Sequence, residues 1–350
     1  MNLQFINIKL ILHTSLITYI CIKLNLKFKM KKTILSIALS LLGLGVMAQG
    51  QPHAKIFSNF NYELSDEENP FKAFEVNRAY LGYGYTYNEN FSAKVTFDVG
   101  NVGAEKNEYV AFLKIAQVTW KANSNLKINF GQVGTKNFKF MEKAWGHRYI
   151  YKSLQDKNKW ASSADAGVTA DYKINSSLSL DAQVLNGEGY KKNQGENGLF
   201  RGGVGLTFNA TDELAVRLHR DVSPRSSYTE TDAHQNTTSA AVAYSGEGFN
   251  VGFEYNMQEG ANNVTDQVRK GTSVYGAYDL GDGLSIFGRY DELTSENDWN
   301  LDKDGTFMIA GVEKVMTKGV KASLNYQSFT EATDGAESEN TLYLNLEYKF

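Results

Sequence analysis

The chain has 350 residues, of which 36 are basic and 39 acidic, with one cysteine and three prolines. One cysteine excludes a disulfide scaffold and a thiolate metal centre, and an acidic balance argues against a nucleic-acid-binding surface. Six of the basic residues precede Gly50 and no acidic residue does, leaving 30 basic against 39 acidic residues beyond it, a net of −9.

Residues 1–29 are rich in Ile, Leu, Asn and Lys and lead into Met30, which by itself opens an export signal. They read as a mis-called upstream extension, with a genuine second apolar segment as the alternative. Residues 30–48 hold Lys31 and Lys32, an apolar run of 14 residues from Ile34 to Met47, and the small residues Val46 and Ala48 around a cleavage point. This is the pattern of a secretory signal peptide, since the run is short of the ~20 residues of a spanning helix. Cys21 lies in the upstream part, so the processed chain carries no thiol and no lipid attachment site.

Residues 49–350 are expected to form one domain. No apolar run there approaches helix-spanning length, yet two-residue alternation recurs throughout. In FSAKVTFDVG, for example, Phe91, Ala93, Val95, Phe97 and Val99 alternate with Ser92, Lys94, Thr96, Asp98 and Gly100. The alternation maps sixteen strands: 54–64, 72–87, 90–101, 108–121, 125–134, 163–174, 177–187, 199–210, 213–223, 235–246, 248–258, 271–281, 283–292, 305–315, 318–328 and 339–350. Alternation is poor near Val110, Ser273 and Phe307, so fourteen strands stays open.

Short turns at Asn88, Ala122, Ile174, Ala210, Ser245, Leu280 and Met316 follow every second strand, and longer polar loops occupy the other ends. Short turns at one end and long loops at the other are the layout of an antiparallel up-and-down transmembrane β-barrel. Pro52, Pro70 and Pro224 fall outside the mapped strands, as a residue without an N–H should. Tyr83, Tyr85, Tyr87 and Phe91 beside the first short turn, with Tyr348 and Phe350, fit an interfacial aromatic girdle. A soluble β-sandwich is the competing architecture. Gly82, Gly84, Gly202, Gly203 and Gly205 read as strand glycines that let a barrel bend or leave room in its lumen, rather than a nucleotide loop.

The chain ends LNLEYKF, which looks like the signal that barrel assembly machinery reads, with Phe350 terminal. FEVNRAYLGYGYTYNENFSAKVTFDVGN (74–101), FGQVGT (130–135), WGHRYIYK (145–152) and SSADAGV (162–168) resemble the phosphate- and polyphosphate-selective porin family, outer-membrane porins of the O and P type. The resemblance implies a bacterial outer-membrane, sixteen-stranded, trimeric barrel with basic pore side chains and a long third extracellular loop folded inward. It also implies lipid and lipopolysaccharide as surroundings and no cofactor.

That third loop would be residues 135–162, which carry Lys136, Lys139, Lys143, His147, Arg148, Lys152, Lys157 and Lys159. In a narrow aqueous pore these would favour anions, with Arg148 a planar fork for phosphate or carboxylate. Trp145, Tyr149, Tyr151 and Trp160 would anchor the loop to the wall. The alternative reading places the lysines on the outside, against lipopolysaccharide phosphates or neighbouring acidic loops.

Alternation puts Arg78, Lys94, Lys127, Arg201, Arg217, His219 and Arg289 on the polar face, together with Asp98, Asp165, Asp171, Asp181, Glu254 and Asp279. Both signs line the lumen, so a non-selective channel for small hydrophilic solutes competes with an anion-preferring one, and a plugged structural or adhesion barrel with both. His53, His147, His219 and His234 have no nucleophile beside them in sequence and lack ligand spacing, which points away from an enzyme and a metal centre. Glu67–Glu68 and Asp302–Asp304 read as solvated loop charge rather than calcium ligands.

Overall fold

The structure is a computed structural model, which describes residues 50–350 apart from 102–107, 193–197 and 225–232. The extension and export signal expected over 1–48 lie outside these residues. The alternating segments become β1 (Gly50–Glu63), β2 (Lys72–Thr86), β3 (Phe91–Asn101), β4 (Tyr109–Lys121), β5 (Leu126–Gly134), β6 (Ala164–Lys173), β7 (Leu178–Leu185) and β8 (Arg201–Asn209). They continue as β9 (Leu214–Ser223), β10 (Gln235–Gly246), β11 (Phe249–Glu259), β12 (Val268–Gly281), β13 (Leu284–Ser295), β14 (Gly305–Thr317), β15 (Val320–Glu331) and β16 (Glu339–Lys349). Every strand pairs antiparallel with its sequence neighbours, and β1 pairs with β16 from Lys55↔Lys349 to Glu63↔Thr341, closing a sixteen-stranded barrel. Closure leaves no edge of unpaired N–H and C=O groups.

Side-chain chemistry sets the turns at one end. The first four, at 87–90, 122–125, 174–177 and 210–213, each have four residues, and the two after them, 247–248 and 282–283, have two. In the four-residue turns the second residue (Asn88, Asn123, Asn175 or Thr211) accepts two backbone N–H bonds from the residues two and three positions on. This is the local bonding that makes Asn and Thr turn formers. At Asp282–Gly283 both residues have positive φ, 51° and 72°, the backbone of a two-residue hairpin that matches strand twist.

The outward face is apolar, with Leu81, Val95, Phe97, Phe130, Val204, Leu218, Val274, Val312 and Leu344 among its exposed side chains. Aromatic pairs Phe91–Trp120, Tyr85–Tyr87 and Tyr244–Phe249 gather at the short-turn end. An apolar outer band with an aromatic girdle is the surface a lipid bilayer solvates.

One expectation changes, and the fourteen-strand alternative falls away. β1 starts at Gly50, so Pro52 lies inside a strand and pairs with Tyr83 of β2. The strand tolerates it because Ala54 bonds toward Phe350 at the end of β16. Pro52, two residues earlier, turns its donor-less nitrogen to that same side, where no β16 residue is paired with it. The strand count is sixteen, and weak alternation has two causes. In β4 a bulge between Leu113 and Ile115 leaves Lys114 as an extra residue, which shifts the inward face by one position. In β12 and β14 the inward set includes buried Tyr275 and Ile309, because something apolar packs inside the barrel against them.

Candidate functional site

That interior partner is the 29-residue connection 135–163 between β5 and β6. It contains two short helices, α1 (Lys139–Trp145) and α2 (Leu154–Lys157). Met141 and Trp145, four residues apart, bury one face of α1. The helix stops at Gly146, whose φ of 73° is the left-handed conformation that favours glycine, and its N–H caps Glu142 O.

Beyond the stop, Trp145, Tyr149 and Ile150 pack with Phe57, Tyr275, Phe287 and Ile309 of the wall, forming a hydrophobic core inside the barrel. Trp145 meets Tyr275 and Phe287 edge-on at 5.7 and 6.1 Å between centroids. Tyr149 Oη donates to Glu313 Oε2 at 2.7 Å. On α2, Leu154 packs with Trp160 and Leu293. A side chain at Gly271 of β12 would strike Leu154 Cδ2 at 2.7 Å, so this glycine is the socket for the leucine.

Polar tethers finish the attachment. Four arginines of β8, β9, β12 and β13 donate to loop carbonyls: Arg217 to Lys136 O (3.0 Å), Arg289 to Lys152 O (2.9 Å), Arg269 to Asn158 O (3.4 Å) and Arg201 to Trp160 O (3.2 Å). Arg201, Arg217 and Arg289 are also paired with Asp221, Asp181 and Asp291, and Arg269 donates to the side-chain Oε1 of Gln258. Gln155 donates to Ser239 and Asn256, both at 2.7 Å. Three arginines that alternation assigns to the pore wall are therefore positioned as loop tethers.

The rest of the basic residues divide. Lys136 is paired with Asp171, which also holds Lys127 at 3.1 Å. Arg148 is a staple within the loop, bonded to Glu142 of α1 and Asp156 of α2 at 3.0 Å each. Lys152 lies 3.6 Å from Asp156, and Lys157 stands over the Tyr151 ring at 4.9 Å. Lys94, Lys139, Lys143 and Lys159 are exposed. His147 is stacked on Phe287 and buried, and that burial lowers its pKa against the pull of Glu313, so it adds no charge near neutrality.

Facing the stapled edge of the loop is a second cluster. Arg78 and Lys114 converge on Asp98, which is fully buried, at 3.1 and 3.5 Å, and Tyr190 donates to the same carboxylate. Arg78 lies within electrostatic reach of Lys152, and Lys191 within reach of Asp156, so each cluster acts on the charges of the other. Together they hold Arg78, Lys114, Arg148, Lys152 and Lys191 against Asp98, Glu142 and Asp156, five cations to three anions. Desolvation, reinforced by Arg148, Arg78 and Lys157, lowers Lys152 to about 8 despite Asp156.

Sequence reading misses Lys114, Tyr190, Lys191 and Arg269. The β4 bulge conceals the first, the next two sit on the 186–200 connection, and Arg269 precedes the mapped start of its strand. No group of three or more His, Cys, Asp or Glu side chains suited to a metal ion occurs among the described residues. Asp304, expected as solvated loop charge, is buried and accepts from Ser295 and Asn300. Asp302 is exposed beside Lys303. Of the histidines, His53 bonds Thr96 Oγ1 at 3.0 Å and His219 accepts from Arg217 at 3.3 Å.

No protein-family model and no curated relative matches the chain. Solved barrels do. OmpF of Salmonella typhi, in complex with daunomycin, superposes with a TM-score of 0.64 at 13% identity, covering 86% of this chain and 97% of that one. An anion-selective porin from Comamonas acidovorans gives 0.64 at 9% identity, covering 86% and 99%. A trimer form of the outer-membrane protein OmpT of Vibrio cholerae gives 0.55 at 14%, again covering 86% and 99%. At such identities the likeness is one of fold.

Proposed function

We propose that the protein is an outer-membrane porin: a water-filled channel through which small hydrophilic solutes diffuse, with a preference for anions. The observation that carries this reading is the charge excess where the stapled loop edge faces Arg78, Lys114 and Lys191, five cations to three anions. Inside a low-dielectric wall a few fixed charges raise the local concentration of counter-ions and lower their barrier. Phosphate-like anions suit the site, as the resemblance to phosphate-selective porins implies.

On this reading residues 30–48 are removed on export, the loop 135–163 enters from the extracellular side, and the processed chain sits among lipopolysaccharide as a homotrimer. The trimer form of the Vibrio barrel and the name of the Comamonas porin support the reading by analogy of fold.

The test is the zero-current potential of the protein in a planar bilayer under a potassium chloride gradient, repeated with phosphate added. An anion-selective sign that reverses when Lys114, Lys152 and Lys191 are together replaced by glutamate is the expected result. An unselective or cation-selective channel would leave a general porin. No conductance from a correctly folded barrel would sink the transport reading in favour of a plugged structural one.

A further inference from the structure

Between the loop and the inner faces of β12 to β16, β1 and β2 lies a cavity of about 730 Å3, within the range of small-molecule sites. One part of its lining is aromatic. The Tyr151 ring stacks on Phe307 at 4.1 Å between centroids, Phe307 stands in register with Phe329, and Tyr343 borders the same space. Another part is amide, from Asn59, Asn77, Asn300 and Gln327. Asn59 is only 8% exposed, and its Oδ1 has no partner among the described residues.

The charges around the cavity cancel, four basic residues against four acidic ones. Several are already engaged: Glu75 accepts from Asn61 and Asn77, Asp291 from Arg289, and Lys157 lies over Tyr151. Such a lining offers little to a free phosphate, whose recognition needs uncompensated donors. Ring faces beside amides, each of which both donates and accepts, suit a solute with apolar C–H faces and a rim of hydroxyls.

We infer that this cavity is a binding subsite for a neutral saccharide of two or three sugar units. The ring faces of the sugar lie against Phe307, Phe329 and Tyr343, and its hydroxyls bond Asn59, Asn77 and Gln327. The inference goes beyond the anion preference of the constriction and rests on the porin reading only for the route by which the sugar arrives.

The test is isothermal titration of the full chain, purified in detergent, with maltotriose, using triethylene glycol and diglycine as neutral and zwitterionic controls. Saturable binding of maltotriose alone is expected. Phe329→Ala should weaken it at least about tenfold, which is ~1.4 kcal/mol, whereas Lys318→Gln, in the exposed turn between β14 and β15, should leave it unchanged. Gln327→Leu is a second variant that keeps volume and removes the amide, with heat-induced mobility shift on gels reporting barrel folding for both. No saturable heat, equal binding of either control, or unchanged affinity in both folded variants would overturn the subsite. Bilayer conductance of the same preparation separates the two readings. A conducting protein that does not bind the sugar loses only the subsite, and a sugar-binding protein that does not conduct loses only the channel.

Discussion

At the residue scale, Arg148 and Lys152 divide two roles that look alike in sequence. Arg148 bridges Glu142 and Asp156 with both ends of its fork, so it fixes α1 relative to α2. Lys152 has one long contact, 3.6 Å to Asp156, and a pKa lowered to about 8 by desolvation. Its ammonium is charged below that pH and neutral above it, so anion preference should fall as pH rises from about 7 to about 9. The zero-current potential at the two pH values measures this, and Lys152→Arg should abolish the dependence because a guanidinium stays protonated throughout. A drop that survives Lys152→Arg would assign the titration to another group.

The loop is the informative element, because its core is made by a barrel wall that a porous cylinder would otherwise leave polar. Trp145 is fully buried among Tyr275, Phe287 and His147. Trp145→Ala is expected to weaken the docking of the loop by about 3–5 kcal/mol, the cost of a large aromatic cavity. Strand pairing, which does not involve it, should survive. Single-channel conductance should rise, and limited proteolysis should cut within 135–163. Conductance and cleavage both unchanged would mean that the arginine tethers alone hold the loop. Tyr149→Phe is the milder change, removing the donor to Glu313 at a cost of about 1–3 kcal/mol.

For the whole molecule, the proposed anion preference is a small difference between large opposed charges. Chain charge beyond Gly50 is −9, yet the facing clusters carry two more cations than anions. A field of that kind is screened, since the Debye length falls from ~10 Å at 0.1 M salt to ~3 Å at 1 M. Anion preference should therefore be clear in 0.1 M potassium chloride and approach unity at 1 M, read from zero-current potentials at fixed gradient ratio. A preference that persists at 1 M would point to anion binding at a fixed site instead of a field.

Two-residue alternation, turn chemistry and spacing determined the barrel, because the rule relating side-chain direction to position along a strand is local. Asn88, Asn123 and Asn175 announce their turns without help from the rest of the chain. Sequence also located the basic loop and its anchors Trp145, Tyr149, Tyr151 and Trp160. Which cations tie the loop to the wall was decided only by tertiary structure. Arg201, Arg217 and Arg289 alternate like pore-lining residues, and it is the loop folding against them that turns them into tethers. Lys114 reads as out of phase until the bulge brings it to Asp98. The weak alternation at Tyr275 and Ile309 likewise has its cause 100 residues and more away, in a loop whose apolar face those residues bury. Period along a strand is a property of the strand, whereas the partner across a lumen is a property of closure, and no local pattern encodes it.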